Sequence, residues 1–257
     1  MIPDIVTVTV SATMDLPKDK KIDINAIYDQ VEIADEVSRI CGAIINRGGI
    51  AITRGRISNK AKKMKRKETM RNMVMLWVNL SRGTEKAVAI KVFTDGKLGL
   101  TGPVGSDAEI QEAIQVVLDE LAIGHYVRTN GGIGEHFVPS NVTFSLSMVN
   151  AKHKLRLAGE PFAIDLYRMR DVVTEYPSAY APRRYPGFRI DLTEDRESKG
   201  ACKISIFATG EVTISVSARW ENVLICRKYL DDFVAERGHL VAKCCVSLDD
   251  IPDAIDM

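Results

Sequence analysis

The sequence predicts an α+β fold built from two copies of one unit, and three observations carry this reading. The stretch "IKVFTDGKLGLTG" (90–102) is echoed by "ISIFATGEVTISV" (204–216), each with a Phe three residues before a Gly, between runs of period-2 alternation. Each echo is followed by an amphipathic helix pattern, at 106–121 and at 219–234. The opening stretch "DIVTVTVSA" (4–12) has a counterpart in "SNVTFSLSMVN" (140–150). There Val6, Val8 and Val10 match Val142, Phe144 and Leu146, while Thr7, Thr9 and Ser11 match Thr143, Ser145 and Ser147.

The elements follow in order. Strict alternation makes 4–12 a strand. Residues 23–45 have helical spacing and open on Asp23, a good capping residue. A short strand is expected at 48–55, then strands at 72–80, 86–93 and 97–102, and the helix at 106–121 closes the first half. Gly-rich "GHYVRTNGGIGEH" (124–136) reads as the connection. The second half repeats the order. A strand at 140–150 leads to a helix at 159–170, with Pro161 near its first turn. Strands at 171–177, 187–192, 202–207 and 211–217 come next, then the helix at 219–234. The predicted organisation is a first repeat over 1–124, a second over 136–247 and an acidic tail over 248–257.

Composition bounds the function. With 257 residues and 46% hydrophobic content the chain can bury a core. No apolar run approaches the ~18 residues of a membrane span, and "MIPDIVTV" lacks the layout of a signal peptide. Five cysteines (Cys41, Cys202, Cys226, Cys244 and Cys245) with no CxxC argue for a reducing compartment and against a disulfide framework or zinc site. Net charge is only +1, but 53–71 holds nine Lys or Arg against one Glu, a local +8 that leaves about −7 elsewhere. Such a run is most often a solvated loop; it also suits nucleic-acid contact or nuclear import.

Alternation separates the faces of each strand. Ile90, Val92, Leu98 and Leu100, with Ile204, Ile206, Val212 and Ile214, form the face that helices should cover. The other face carries Lys91, Phe93, Gly99 and Thr101, with Ser205, Phe207, Thr213 and Ser215. A Phe projecting from each half among small polar residues packs locally under a hairpin or marks a binding surface.

At this point the sequence resembles the TATA-box-binding protein family. "YAPRRYPGFRIDL" (180–192) looks like its second-repeat segment, with Tyr180, Pro182, Pro186 and Gly187 matching and Tyr185 where the family has Phe. "IKVFTDGKLGLTG" and "ISIFATGEV" look like its hairpins, the first keeping Lys97, Thr101 and Gly102, and "SNVTF" resembles the strand with its minor-groove Asn, here Asn141. The resemblance covers roughly 4–122 and 136–240, with extra basic residues near 46–71. It implies a saddle of two pseudo-symmetric repeats: a curved ten-stranded antiparallel sheet with helices on the convex side. The concave side would meet the minor groove of A·T-rich promoter DNA and kink it with apolar wedges. By position the wedges are Phe93, Phe207, Tyr185 and Met73, and the polar contacts are Asn141, Lys97, Thr101 and Ser215, helped by Lys91 and Arg189. No cofactor is implied.

The departures from the family pattern are specific. Ile5 replaces the second Asn of the central pair, positions for phosphate-contacting Arg fall near Asn79 and Asp191, the hairpin Lys of the second half becomes Glu211, and the Lys after the last strand falls near Ala218. Affinity for duplex DNA rests largely on neutralised phosphates, so these changes should weaken it. The family's acidic second stirrup docks transcription factor IIB; here it carries Ala181, Arg183 and Arg184, which demand an acidic partner, a IIB-like protein or polymerase machinery of altered charge. Such changes suit a divergent lineage or large DNA virus with its own initiation factors. The location that the resemblance implies is a nucleus, or a viral factory or virion if the chain is viral. The expected function is a promoter-binding and bending initiation factor; the alternative is a scaffold that has lost DNA binding. An enzyme is disfavoured, because His125, His136, His153 and His239 lack metal-ligand spacing and "GGIGEH" lacks the strand-to-helix context of a phosphate loop.

Overall fold

The computed structural model describes residues 4–33, 39–57, 71–81, 87–129, 134–135, 138–139, 141–193, 200–217 and 219–243. The fold is α+β: an open, largely antiparallel sheet of eleven strands with four helices among the described residues. Two compact units divide the chain, residues 5–149 and residues 150–257 with 1–4.

The first unit opens with β1 (Asp4–Met14) and β2 (Lys20–Ile22), followed by α1 (Ile24–Gln30). Then come β3 (Ile40–Arg47), β4 (Ile50–Gly55), β5 (Met73–Val78), β6 (Val88–Phe93) and β7 (Lys97–Gly102). Helix α2 (Asp107–Ile123) and β8 (Val127–Thr129) lead into β9 (Val142–Lys154), whose first residues belong to this unit. The sheet order is β9-β1-β7-β6-β5-β3-β4. β2 pairs with β8 in a separate ribbon, so the expected 124–136 connection contains a strand.

The second unit holds the end of β9, then β10 (Arg156–Leu157), β11 (Glu160–Pro161), α3 (Leu166–Val172) and β12 (Ser178–Ala179). β13 (Phe188–Asp191), β14 (Cys202–Ile206), β15 (Glu211–Val216) and α4 (Glu221–Val241) complete it, with sheet order β12-β13-β14-β15-β9.

The same hydrogen bonds recur in both units. Asp23 caps α1 through the amides of Asn25 and Ala26; Asp165 caps α3 through those of Tyr167 and Arg168. The Gly96 amide donates to the Phe93 carbonyl at 3.1 Å, and the Gly210 amide to the Phe207 carbonyl at 2.9 Å. Both glycines have positive φ, +84° and +78°, which closes these hairpins at no steric cost. The amides of Met14 and Leu155 reach the carbonyls of Gly96 and Gly210 in turn.

Three expectations are corrected. The helix read over 23–45 is only α1; β3 follows and is the strand beyond the expected ten. All of Ile40–Asn46 is buried, so β3 shows no alternation for a period-2 reading to detect. The helix read over 159–170 starts later, because Asp165 rather than Pro161 sets its start, and Pro161 lies in a two-residue strand. It runs on to Val172, where a strand over 171–177 was expected; the strand there is Ser178–Ala179, paired with Arg189 and Ile190.

The core follows the predicted apolar face: Ile90, Val92, Leu98, Leu100, Ile204, Ile206, Val212 and Ile214 are all buried. Cys41, Cys202 and Cys226 are buried free thiols, and burial pushes the Cys41 and Cys226 thiols up in pKa, which leaves them poor nucleophiles. Cys244, Cys245, most of the basic run (58–70) and the acidic tail lie outside the described residues.

Candidate nucleic-acid interface

Register fixes which side chains share a face, because directly paired residues on antiparallel strands point the same way. In the first unit Thr9 pairs with Thr101 and Ser11 with Gly99. Gly99 pairs with Lys91, and Thr101 with Ala89. On the next strand Met73, Met75 and Trp77 stand opposite Phe93, Lys91 and Ala89. All of these occupy the face opposite the buried Ile90, Val92, Leu98 and Leu100. A Cβ on Gly99 would lie 3.8 Å from both the Lys91 stem and the Phe93 ring, so the glycine leaves a shallow floor beside them. Ser11 and Ser147 share a hydrogen bond of 3.0 Å on this face. Asn141 precedes Ser147 by six residues, so continued alternation puts it there too; it is exposed, and its carbonyl accepts from the Asp15 amide.

Met73, expected by position to be a wedge, is buried. Only 1% of its surface is exposed, and it packs with Cys41, Ile44, Ile57, Met75 and Trp77, a cluster on which Phe93 also rests. The backbone explains the cover. Gly55, at φ +68°, turns the chain after β4. The Arg56 amide then donates to the Cys41 carbonyl at 2.6 Å, and Ile57 lands over Gly42. A Cβ on Gly42 would sit 2.3 Å from the Arg56 carbonyl oxygen and 2.9 Å from Ile57 Cγ2, so only glycine fits. The start of the basic run is therefore structural. Thr53 and Arg54 lie in β4, and the Arg54 guanidinium donates to the Tyr28 and Val31 carbonyls at the end of α1.

The second unit holds a different arrangement. The Tyr185 and Phe207 ring centroids are 5.9 Å apart with the planes tilted by 58°. Gly187 lies beneath both: a Cβ there would meet Tyr185 Cε1 at 2.8 Å and Phe207 Cε1 at 3.1 Å. The Arg189 guanidinium sits 5.7 Å from the Tyr185 ring centroid. Around this pair the face is small and polar. Arg189 stands opposite Ser205, and Ser205 opposite Thr213. Ser215 donates to Asn150 Oδ1 at 2.7 Å. Arg183 and Arg184 are exposed beside the turn in which the Arg184 and Tyr185 amides both donate to the Ala181 carbonyl.

Two cations near these faces are already engaged. Lys97 pairs with Asp95 at 2.8 Å, and the Lys97 hydrogen bond holds the Asp95 carboxyl below the usual aspartate range. Lys203 lies 3.6 Å from Asp191, whose carboxyl is held low chiefly by the Thr193 hydroxyl. Sequence reasoning missed the Lys203–Asp191 pair and the Trp77–Met75–Ile57 cluster. The second was signalled by β5, whose sequence MVMLWV is apolar on both faces.

No group of three His, Cys, Asp or Glu among the described residues could hold a metal ion, and no described helix is long and apolar enough to cross a membrane. No protein-family model matches the chain, and no curated protein matches it. Among solved structures, the Methanococcus jannaschii TBP matches with a TM-score of 0.53 at 19% sequence identity, over 92% of this chain and 99% of its own. At that identity the likeness is one of fold: the chain has a TBP-like fold.

Proposed function

We propose that the protein is a TBP-like transcription initiation factor that binds A·T-rich duplex DNA from the minor-groove side and bends it, with the second unit supplying the principal wedges. The observation that carries this reading is the Tyr185–Phe207 ring pair raised on Gly187 and flanked by Arg189. Two adjacent rings on a small polar sheet face suit insertion at a base step, and the guanidinium beside them suits a phosphate. Asn141, Thr101, Lys91 and Ser215 add hydrogen bonds or charge. Arg183 and Arg184 would meet an acidic initiation partner, in a nucleus or a viral equivalent. The role is binding rather than catalysis.

The burial of Met73 and the internal pairing of Lys97 and Lys203 favour a second reading, a scaffold with little DNA affinity. One experiment separates the two: binding and bending measured by fluorescence on A·T-rich and G·C-rich duplexes across a salt series. The first reading expects preference for the A·T-rich duplex and bending at low salt. Absence of bending at every salt concentration would leave the scaffold.

A further inference from the structure

We propose that a groove on the helix side of the second unit is a docking site for an acidic, leucine-bearing peptide segment of a protein partner. The groove encloses about 430 Å³ between the end of β9, the β10–β11 hairpin and α4, within the size range of ligand sites. Its apolar lining comes from Leu155, Leu157, Val234 and Ala235, and its rim from Lys154, Arg156 and Arg227 against the single carboxylate of Asp231.

The cations differ in how far they are balanced. Arg227 Nε lies 3.3 Å from Asp231, and Lys154 lies 2.8 Å from Glu211. Arg156 donates to the neutral Gly159 carbonyl at 3.0 Å across the hairpin turn. Its charge is thus held in place with no carboxylate among the described residues to cancel it. Helical spacing sets Leu224, 53% exposed, one turn before Arg227 on the stripe 224, 227, 231, 235, which carries apolar surface beyond the groove. An occupant complementary to this lining needs apolar side chains for the floor and carboxylates for the rim. Duplex DNA is a poorer match. Its backbone offers nothing to the leucines, and Asp231 and Glu211 would repel its phosphates. The alternation of β9 breaks at Ser147 and Met148, two consecutive exposed residues; beyond the break His153 in the lining is in phase with buried Val149 and Ala151, which puts the groove on the face that α4 covers, away from Tyr185 and Phe207. A DNA-binding role for that other face and this site are therefore independent.

The test is fluorescence anisotropy on the full chain with a labelled peptide of repeating Asp and Leu, against the same peptide with Asn for each Asp. Arg156→Glu changes an exposed hairpin residue and Ala235→Glu an exposed helix residue, so both should fold, which thermal melts would verify. The expected result is binding of the Asp peptide, weakened about tenfold or more by either substitution and by the Asn peptide, a difference of about 1.4 kcal/mol. Excess A·T-rich duplex should not displace it. Equal affinity for both peptides, indifference to both substitutions, or displacement by duplex would each overturn the proposal.

Discussion

Met73 stands directly across the β5–β6 ladder from Phe93, yet Met73 is sealed in an apolar cluster while Phe93 is only half-buried on its edge. Two residues expected to act as a pair of wedges therefore do different things: one closes a local core, the other borders it. Met73→Ala should then behave as a core truncation. We expect a loss of about 2–5 kcal/mol in denaturant unfolding, with DNA affinity per folded molecule unchanged. A stable variant with weakened DNA binding would return Met73 to the interface.

That cluster also shows where the sequence was legible and where it was not. The Ile90–Val92 and Ile204–Ile206 strands each bury one face, so alternation revealed both the strands and their inward side chains. β3 and β5 are covered on both sides, so β3 carries no alternation and its sequence reads as the end of a helix. The cover on the second face depends on Gly55 turning the chain and on Ile57 reaching Gly42, relations between residues 15 apart that no local pattern encodes. In the second unit the segment around Tyr185 kept its Pro-Gly spacing, and Gly187 does sit under the rings. The Arg189 position over Tyr185 depends on register and became visible only in three dimensions.

Gly187 offers a direct test of that ring pair. Its Cβ would collide with Tyr185 and crowd Phe207, and aromatic rings packed against each other yield less easily than a flexible chain end. Gly187→Ala should cost about 1–3 kcal/mol of stability through overpacking and move the aromatic proton resonances of both tyrosine and phenylalanine. It should also lower bending on A·T-rich duplex. Unchanged ring resonances would show that the rings do not rest on Gly187.

Tyr28 gives a prediction of opposite sign. Its ring has two guanidinium groups near it, Arg47 at 5.2 Å and Arg54 at 5.7 Å from the centroid, while its buried hydroxyl has no hydrogen-bond partner among the described residues. Removing an unsatisfied hydroxyl takes away a desolvation cost and leaves the cation–π contacts. Tyr28→Phe should be neutral or stabilising by up to about 1 kcal/mol in urea unfolding. A clear loss of stability would mean that the hydroxyl is bonded in solution.

Acid should reveal the tie between α2 and the chain beyond β5. Glu112 accepts from the Ser81 amide at 2.7 Å and from Arg39 at 2.6 Å. The Ser81 amide, with Arg39 adding to it, holds this carboxyl below its usual value of 4.5 despite partial burial. A depressed folded-state pKa adds stability that is complete above 4.5 and is lost as pH falls through the lower folded-state value. At neutral pH Glu112→Gln should cost about 1 kcal/mol, since both partners are near solvent. The gap between wild type and variant should shrink below pH 4.5, as followed by urea midpoints. A gap independent of pH would assign the loss to packing.

The two hairpin phenylalanines share a turn geometry but not a setting. Phe207 has Tyr185 beside it and Arg189 beyond, whereas Phe93 has Met73 buried behind it and Ile5 rather than Asn at the start of its first strand. Opening a base step costs about a few kcal/mol, which inserted side chains must help offset. Two neighbouring rings can share that cost; a single ring leaning on a closed cluster cannot. If the protein bends DNA, Phe207→Ala should therefore reduce the bend more than Phe93→Ala. Phe93→Ala should instead loosen the Met73 cluster and lower stability. Energy transfer across an A·T-rich duplex labelled at both ends measures the bend, and urea unfolding of the same variants measures the stability. Equal loss of bending from the two substitutions would refute the asymmetry.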